Sequence, residues 1–229
     1  MLKIVYEDAD LEEFALGEES DVAVPISVSK DEDGAVTVTV YSRFAKEAEE
    51  FAKQFGDDPF SAQALDFIDR VFAPPMREYG FRYEREYDQT VLTFTSSGKT
   101  ERPDNAVCIG TQAELEKYEF LTARDFEIDD GDPCDAAFAV IEDGKIVSVA
   151  AVNDYSDDGS VEINVETAPA FRGRGFASDA VSALASYLEG LGERVTYKCR
   201  ESNAASVKVA EKAGMKYAGK AFYYVCYRI

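Results

Sequence analysis

The feature that most restricts the fold of this chain is a change of hydrophobic period across a glycine-rich turn. Val161-Glu162-Ile163-Asn164-Val165-Glu166 alternates apolar and polar residues, as a strand with one buried face does. Thr167-Ala168-Pro169 ends that strand. After Arg172-Gly173-Arg174-Gly175, the residues Val181, Leu184, Ala185 and Leu188 fall at i, i+3, i+4 and i+7 and form one apolar helical face. A strand that turns on glycines into an amphipathic helix has to pack that helix back on a sheet, so layers of sheet and helix follow.

The turn also points to a ligand class. The first N–H groups of a helix have no internal partner, and the helix dipole places roughly half a positive charge there. An anion is the natural occupant. Gly173 and Gly175 permit backbone angles that other residues avoid and omit the Cβ atoms that would hold a phosphate away. Arg172 and Arg174 add charge-assisted donors. The spacing is neither Gly-x-Gly-x-x-Gly nor a Walker loop closing in Gly-Lys-Ser/Thr, which leaves a diphosphate cradle of another kind.

Arg172-x-x-Gly175-x-Ala177 resembles the acetyl-coenzyme A signature Gln/Arg-x-x-Gly-x-Gly/Ala of the GNAT acetyltransferase superfamily. Asn203-Ala204-Ala205-Ser206, which begins 28 residues past Gly175, opens a second helical pattern that ends at Glu211-Lys212-Ala213-Gly214-Met215. That segment is similar to the family's Asn-x-x-Ser/Ala … Glu-Lys-x-Gly-Phe motif, with Met215 in place of phenylalanine. Asn203 also suits a plain N-cap and Gly214 a plain helix end.

The resemblance implies an α/β (α+β) fold: a GNAT-like mixed, mostly antiparallel sheet with flanking helices over residues 101–229, preceded by a smaller α+β lobe over 1–100. It implies acetyl-coenzyme A as cosubstrate, with contacts from Val165, Thr167, Arg172, Gly173, Arg174, Gly175, Phe176, Ala177, Ser178, Asn203 and Ser206, and transfer of the acetyl group to a primary amine of a small molecule or peptide. In the family, the strand before the turn splays from its neighbour and its backbone pairs with the pantetheine arm. Its N–H groups would stabilise negative charge developing on the thioester oxygen. A cofactor-binding regulatory module with little turnover is the alternative, and an unrelated phosphate-binding protein that shares only the turn is a third reading.

Glu162 and Glu166 share one strand face at i and i+4, with Asn164 between them. A carboxylate partly desolvated beside the cofactor is raised toward the range useful for proton abstraction, so one of the two is expected as the base, Glu162 first on its distance from the turn. Both also fit outward-facing strand positions. The tyrosine that many family members carry four residues before the last helical glycine falls at Ala210. Proton delivery to the leaving thiolate is therefore left to Tyr217, Tyr223 or Tyr224, with Tyr223 the choice, or to water.

Charge supports the anion reading independently. The chain carries 24 Lys and Arg against 45 Asp and Glu, yet residues 172–229 hold 10 basic and 5 acidic residues while 101–171 hold 4 and 18. A basic segment in so acidic a chain suits an anion. The acidic clusters Asp125, Glu127, Asp129, Asp130, Asp132, Asp135 and Asp154, Asp157, Asp158 would attract a cationic amine and disfavour nucleic acid, or simply keep the surface solvated. With no histidine, Ser-His-Asp and Cys-His devices and His-containing metal sites are excluded. The four cysteines form no Cys-x-x-Cys pair, so no metal is expected. The opening Met1-Leu2-Lys3 runs straight into Ile4-Val5-Tyr6-Glu7-Asp8, and no run approaches the roughly 18 apolar residues of a membrane span, so a cytoplasmic protein that does not engage a membrane is expected. Self-association as a homodimer is common in the superfamily.

Further strands are expected at 134–142 and 145–153 around Asp143-Gly144, at 196–199 and at 221–227. In the first lobe, 22–28 and 35–41 read as a hairpin, 45–55 as a helix, and 60–72 as a helix stopped by Pro74-Pro75. Residues 81–87 and 91–94 read as a second hairpin, with the junction at 96–105.

Overall fold

The computed structural model of the protein describes residues 2–9, 21–83, 90–98, 100, 102–122, 127–156 and 158–229. Lys99, Glu101, Asp125, Asp157 and the strand residues expected at 84–87 lie outside that set. In chain order the strands are β1 (Leu2–Glu7), β2 (Val22–Ala23), β3 (Ile26–Asp31), β4 (Val36–Tyr41), β5 (Phe81–Tyr83), β6 (Thr90–Thr95), β7 (Ala106–Ile109), β8 (Glu119–Phe120), β9 (Ala137–Glu142), β10 (Lys145–Tyr155), β11 (Val161–Thr167), β12 (Val195–Arg200), β13 (Lys216–Tyr223) and β14 (Cys226–Arg228). The α-helices are α1 (Ala45–Phe55), α2 (Ala62–Glu78), α3 (Gln112–Leu115), α4 (Phe176–Leu191) and α5 (Ala204–Lys212). This is a mixed α/β fold with mostly antiparallel strands and flanking helices.

Two compact units divide the chain. The first holds Met1–Leu92, Arg200–Ser202 and Gly219–Ile229, and the second Thr93–Cys199 and Asn203–Ala218. These bounds differ from a cut at residue 100 in two ways. The first unit ends at Leu92, and it takes back the C-terminal residues, because Gly219–Tyr223 of β13 pair antiparallel with β3 and β14 pairs with β2 and β5. Gly219 lets the two backbones meet: a Cβ there would stand 2.5 Å from the Lys30 carbonyl oxygen.

In the first unit β3 and β4 form the expected hairpin, and β1 lies parallel to β4. Phe44, Phe51, Phe67, Phe72 and Tyr224 share its core with the apolar faces of α1 and α2. Helix α2 does not stop at Pro74-Pro75. Its stripe of Ala64, Phe67, Ile68, Phe72 and Met76 continues past the prolines, and Met76 is fully buried. Burial of such side chains, each about 1.5–3 kcal/mol, offsets the roughly 3 kcal/mol of an interior proline. Of the hairpin expected between 81–87 and 91–94, residues 84–87 lie outside the described residues, and the described Phe81–Tyr83 of β5 pair with β14, a partner too distant in sequence for local pattern to reveal.

The second unit orders its strands β12-β11-β10-β9-β7, with β8 parallel to β10. Asp143 (φ 50°) and Gly144 (φ 76°) supply the two left-handed positions that a tight β9–β10 turn needs. Helix α4 packs on β9, β10 and β11, and Val181, Leu184, Ala185 and Leu188 are fully buried. Its far end holds the segment expected as a junction: the Glu189 carboxylate accepts from the N–H groups of Gly98 at 2.8 Å and Thr100 at 3.2 Å.

Candidate functional site

Strands β11 and β12 run parallel for only three register pairs, Val161↔Val195, Glu162↔Thr196 and Ile163↔Tyr197. Beyond Ile163 the pairing between them stops while β11 continues to Thr167, so its edge toward β12 opens as a gap. On its other side β11 stays paired with β10 as far as Ser148↔Thr167, which keeps the open edge rigid. A short 3-10 turn, Pro169–Phe171, then leads to the glycine turn.

Gly173 (φ 79°) and Gly175 (φ 95°) are left-handed, which is what the turn requires of them. An added Cβ at either would meet no protein atom within 4 Å, so the surrounding space is open. Gly175 caps α4 without a side chain, and the first helical carbonyl bond is received from Asp179 N–H at 3.1 Å. The N–H groups of Phe176, Ala177 and Ser178 thus have no carbonyl one turn earlier to bond, which suits them to a ligand.

A cleft of about 450 Å³ lies over this turn, within the size of small-ligand sites. Val165, Glu166 and Thr167 of β11, the turn from Phe171 to Ser178 except Arg174, and Asn203, Ala205, Ser206, Lys208, Val209 and Lys212 of α5 and its cap line it, with Tyr197 of β12. Every residue expected from the sequence to touch a cofactor is on this wall except Arg174, whose guanidinium lies over the Phe171 ring, 4.9 Å from its centroid. Arg172 donates through Nε to the Thr167 carbonyl at 3.1 Å, which fixes its guanidinium at the rim. Ser178 donates its hydroxyl to the Gly175 carbonyl at 2.7 Å, so it braces the turn. Asn203 accepts the Ser206 N–H at 3.1 Å as the α5 cap while it also lines the cleft.

The two carboxylates part company. Glu166 is on the cleft wall, whereas Glu162 sits beside the closed end of the gap with Lys198 Nζ at 2.7 Å and Asn153 Nδ2 at 3.4 Å. Asn164, between them, donates Nδ2 to Asn153 Oδ1 at 2.8 Å. Of the tyrosines considered as acid, Tyr223 lies opposite Ser27 in the first unit, 40% exposed and off the cleft wall. Tyr217 meets Phe94 edge-on, and Tyr224 is fully buried with its hydroxyl donating to Asp69 Oδ1 at 2.8 Å. Ala210 is fully buried.

Tyr197, Lys208 and Lys212 also border the cleft, although none of them was expected to touch the cofactor. Tyr197 is hidden in an apolar strand pattern, and burial pushes its phenol above the ordinary value against a hydrogen bond with the Ser206 side chain. Lys208 and Lys212 stand one turn apart on α5, a spacing that puts two ammonium groups on one helix face, and that i, i+4 pair was the available clue.

A family model for the acetyltransferase (GNAT) domain matches residues 80–216. The chain belongs to the GNAT acetyltransferase family. Solved structures similar to this GNAT protein include one assigned to the family from Novosphingobium aromaticivorans, 18% identical, with a TM-score of 0.49 over 66% of this chain and 68% of that one. A GNAT acetyltransferase from Colwellia psychrerythraea is 12% identical, with a TM-score of 0.45 over 87% and 81%. A Salmonella typhimurium protein solved with acetyl-CoA is 18% identical, with a TM-score of 0.33 over 39% and 64%. No curated protein matches the chain.

Acetyl-coenzyme A is the acetyl donor of GNAT acetyltransferases, and this cleft suits it. A helix N-terminus with an open glycine turn fits a diphosphate, Lys208 and Lys212 add positive charge, and the edge of β11 beyond its pairing with β12 fits an extended amide-bearing arm. Among the described residues, no group of acidic or cysteine side chains is placed to hold a metal ion, and no helix is long and apolar enough to cross a membrane.

Proposed function

We propose that the protein is an amine N-acetyltransferase whose acceptor meets the thioester at the closed end of the β11–β12 gap, with Glu162 as the base. The observation that carries this reading is the place where the strand pairing ends. A diphosphate seated on the α4 N-terminus, with its arm laid along Asn164–Thr167, brings the reacting carbonyl to Ile163 and Tyr197, one residue from Glu162. The donor supplies an activated acyl group. Glu162 takes the proton that the attacking nitrogen loses, and backbone N–H groups of β11 hold the oxygen on which charge develops. Glu166, nearer the phosphate end, serves as wall for the arm.

The acceptor on this reading is cationic in its resting form. Asp154, paired in register with Glu162 on the neighbouring strand, is exposed and favours approach of an ammonium group. Coenzyme A release measured with spermidine, an aminoglycoside, free lysine and a lysine-bearing peptide tests it. Turnover above buffer hydrolysis with at least one amine supports the reading. Tight coenzyme A binding with no turnover on any amine favours a regulatory module, the reading to which buried Ala210 in the family's tyrosine position lends weight.

A further inference from the structure

Among the described residues, Tyr197 is the one tyrosine on the cleft wall, and it belongs to the last register pair before β11 and β12 separate. Its ring is 3% exposed, and its hydroxyl is held by the Ser206 side chain at the start of α5. Side chains alternate across a strand. Tyr197 and its partner Ile163 therefore project to the α4 side, while Thr196, Lys198 and Glu162 project to the opposite side, where Lys198 and Glu162 meet. A proton acceptor and a proton donor thus stand on opposite sides of the point where the gap closes.

We propose that the Tyr197 hydroxyl receives the coenzyme A sulfur and gives it a proton as it leaves, with Ser206 aiming the hydroxyl. This rests on the amine acetylation reading above. As the amine nitrogen bonds to the carbonyl carbon, the C–S bond breaks and its electron pair passes to sulfur. The phenolic proton moves to that sulfur, giving the free thiol. The resting ammonium first releases one proton to solvent to become a nucleophile, the second proton lost by nitrogen goes to Glu162 and from there to solvent, and the phenolate regains one proton from water at the mouth of the cleft. Burial keeps the phenol protonated at neutral pH, so the donor is loaded before each turnover. Neither the fully buried Ala210 nor the exposed Tyr223 supplies such a hydroxyl.

The test titrates the thiol of bound coenzyme A by its ultraviolet thiolate absorbance, with the desulfo-coenzyme A complex as blank to cancel the protein's own cysteines and tyrosines. In the unaltered protein the bound thiol titrates below free coenzyme A. In Tyr197→Phe the midpoint rises by about one pH unit, the value of one hydrogen bond to a charged group, while calorimetry gives a coenzyme A Kd within about threefold. Site-specific fluorotyrosine at position 197, a stronger donor on an unchanged scaffold, moves the midpoint the other way. It also decides the matter if Tyr197→Phe fails to fold. Equal midpoints in all three proteins overturn the proposal. Failure of the unaltered protein to bind coenzyme A overturns the cofactor reading instead.

Discussion

Replacing Gly175 by alanine isolates the backbone geometry on which the cleft depends. Gly175 has φ 95° and ψ −10°, and an alanine Cβ there would touch nothing within 4 Å, so no steric clash contributes. If the turn keeps its shape, the left-handed alanine costs about 1–2 kcal/mol, or roughly 2–8 °C in Tm for a chain of this size. If the turn relaxes to a right-handed form, stability is kept but the N–H groups of Phe176, Ala177 and Ser178 rotate away from their ligand. Each charge-assisted bond lost costs about 1.5–3 kcal/mol, which is roughly ten- to a hundredfold in coenzyme A affinity. Scanning calorimetry and coenzyme A titration on the same variant read both terms. Gly159→Ala is the control, since Gly159 is equally left-handed (φ 76°) and open but is not on the cleft wall, and it is expected to lose Tm alone. A Gly175→Ala protein that keeps both Tm and affinity would show that coenzyme A does not depend on the left-handed turn at Gly175.

Glu162→Gln is expected to lower kcat by about a hundredfold at neutral pH and to recover at high pH, whereas Glu166→Gln alters KM for acetyl-coenzyme A more than kcat; the reverse pattern in pH–rate profiles moves the base to Glu166. Lys208→Ala with Lys212→Ala raises the coenzyme A Kd about tenfold in low salt and much less at high ionic strength, as titrations across a salt series report. The Tyr224 phenol, raised by burial and by its bond to Asp69, stabilises the fold while protonated. That contribution is complete below about pH 10 and is lost as pH rises toward the folded value, so stability measured by denaturant falls in alkali, and in Tyr224→Phe this part of the fall is absent.

The strand–turn–helix at 161–191 was legible because two periodicities and two glycines state it locally. The same holds for the Asp143-Gly144 hairpin and for the Asn203 cap. What escaped was long-range or contextual. Whether Pro74-Pro75 stops a helix depends on the packing of Met76, and no local rule weighs that. The return of β13 and β14 into the first unit depends on pairing with β3, β2 and β5 across most of the chain. Tyr197 escaped because an aromatic in an alternating strand reads as core; only the end of the β11–β12 pairing reveals that it borders a cleft. Lys208 and Lys212 were visible as residues, but the cleft that gives them meaning comes from tertiary structure.

The most direct measurement is a crystal structure of the protein with coenzyme A. Diphosphate oxygens are expected within hydrogen-bond distance of the N–H groups of Phe176, Ala177 and Ser178, and the sulfur beside Tyr197 at the closed end of the gap. A coenzyme A seated elsewhere, or one whose arm leaves the Asn164–Thr167 edge untouched, contradicts this placement.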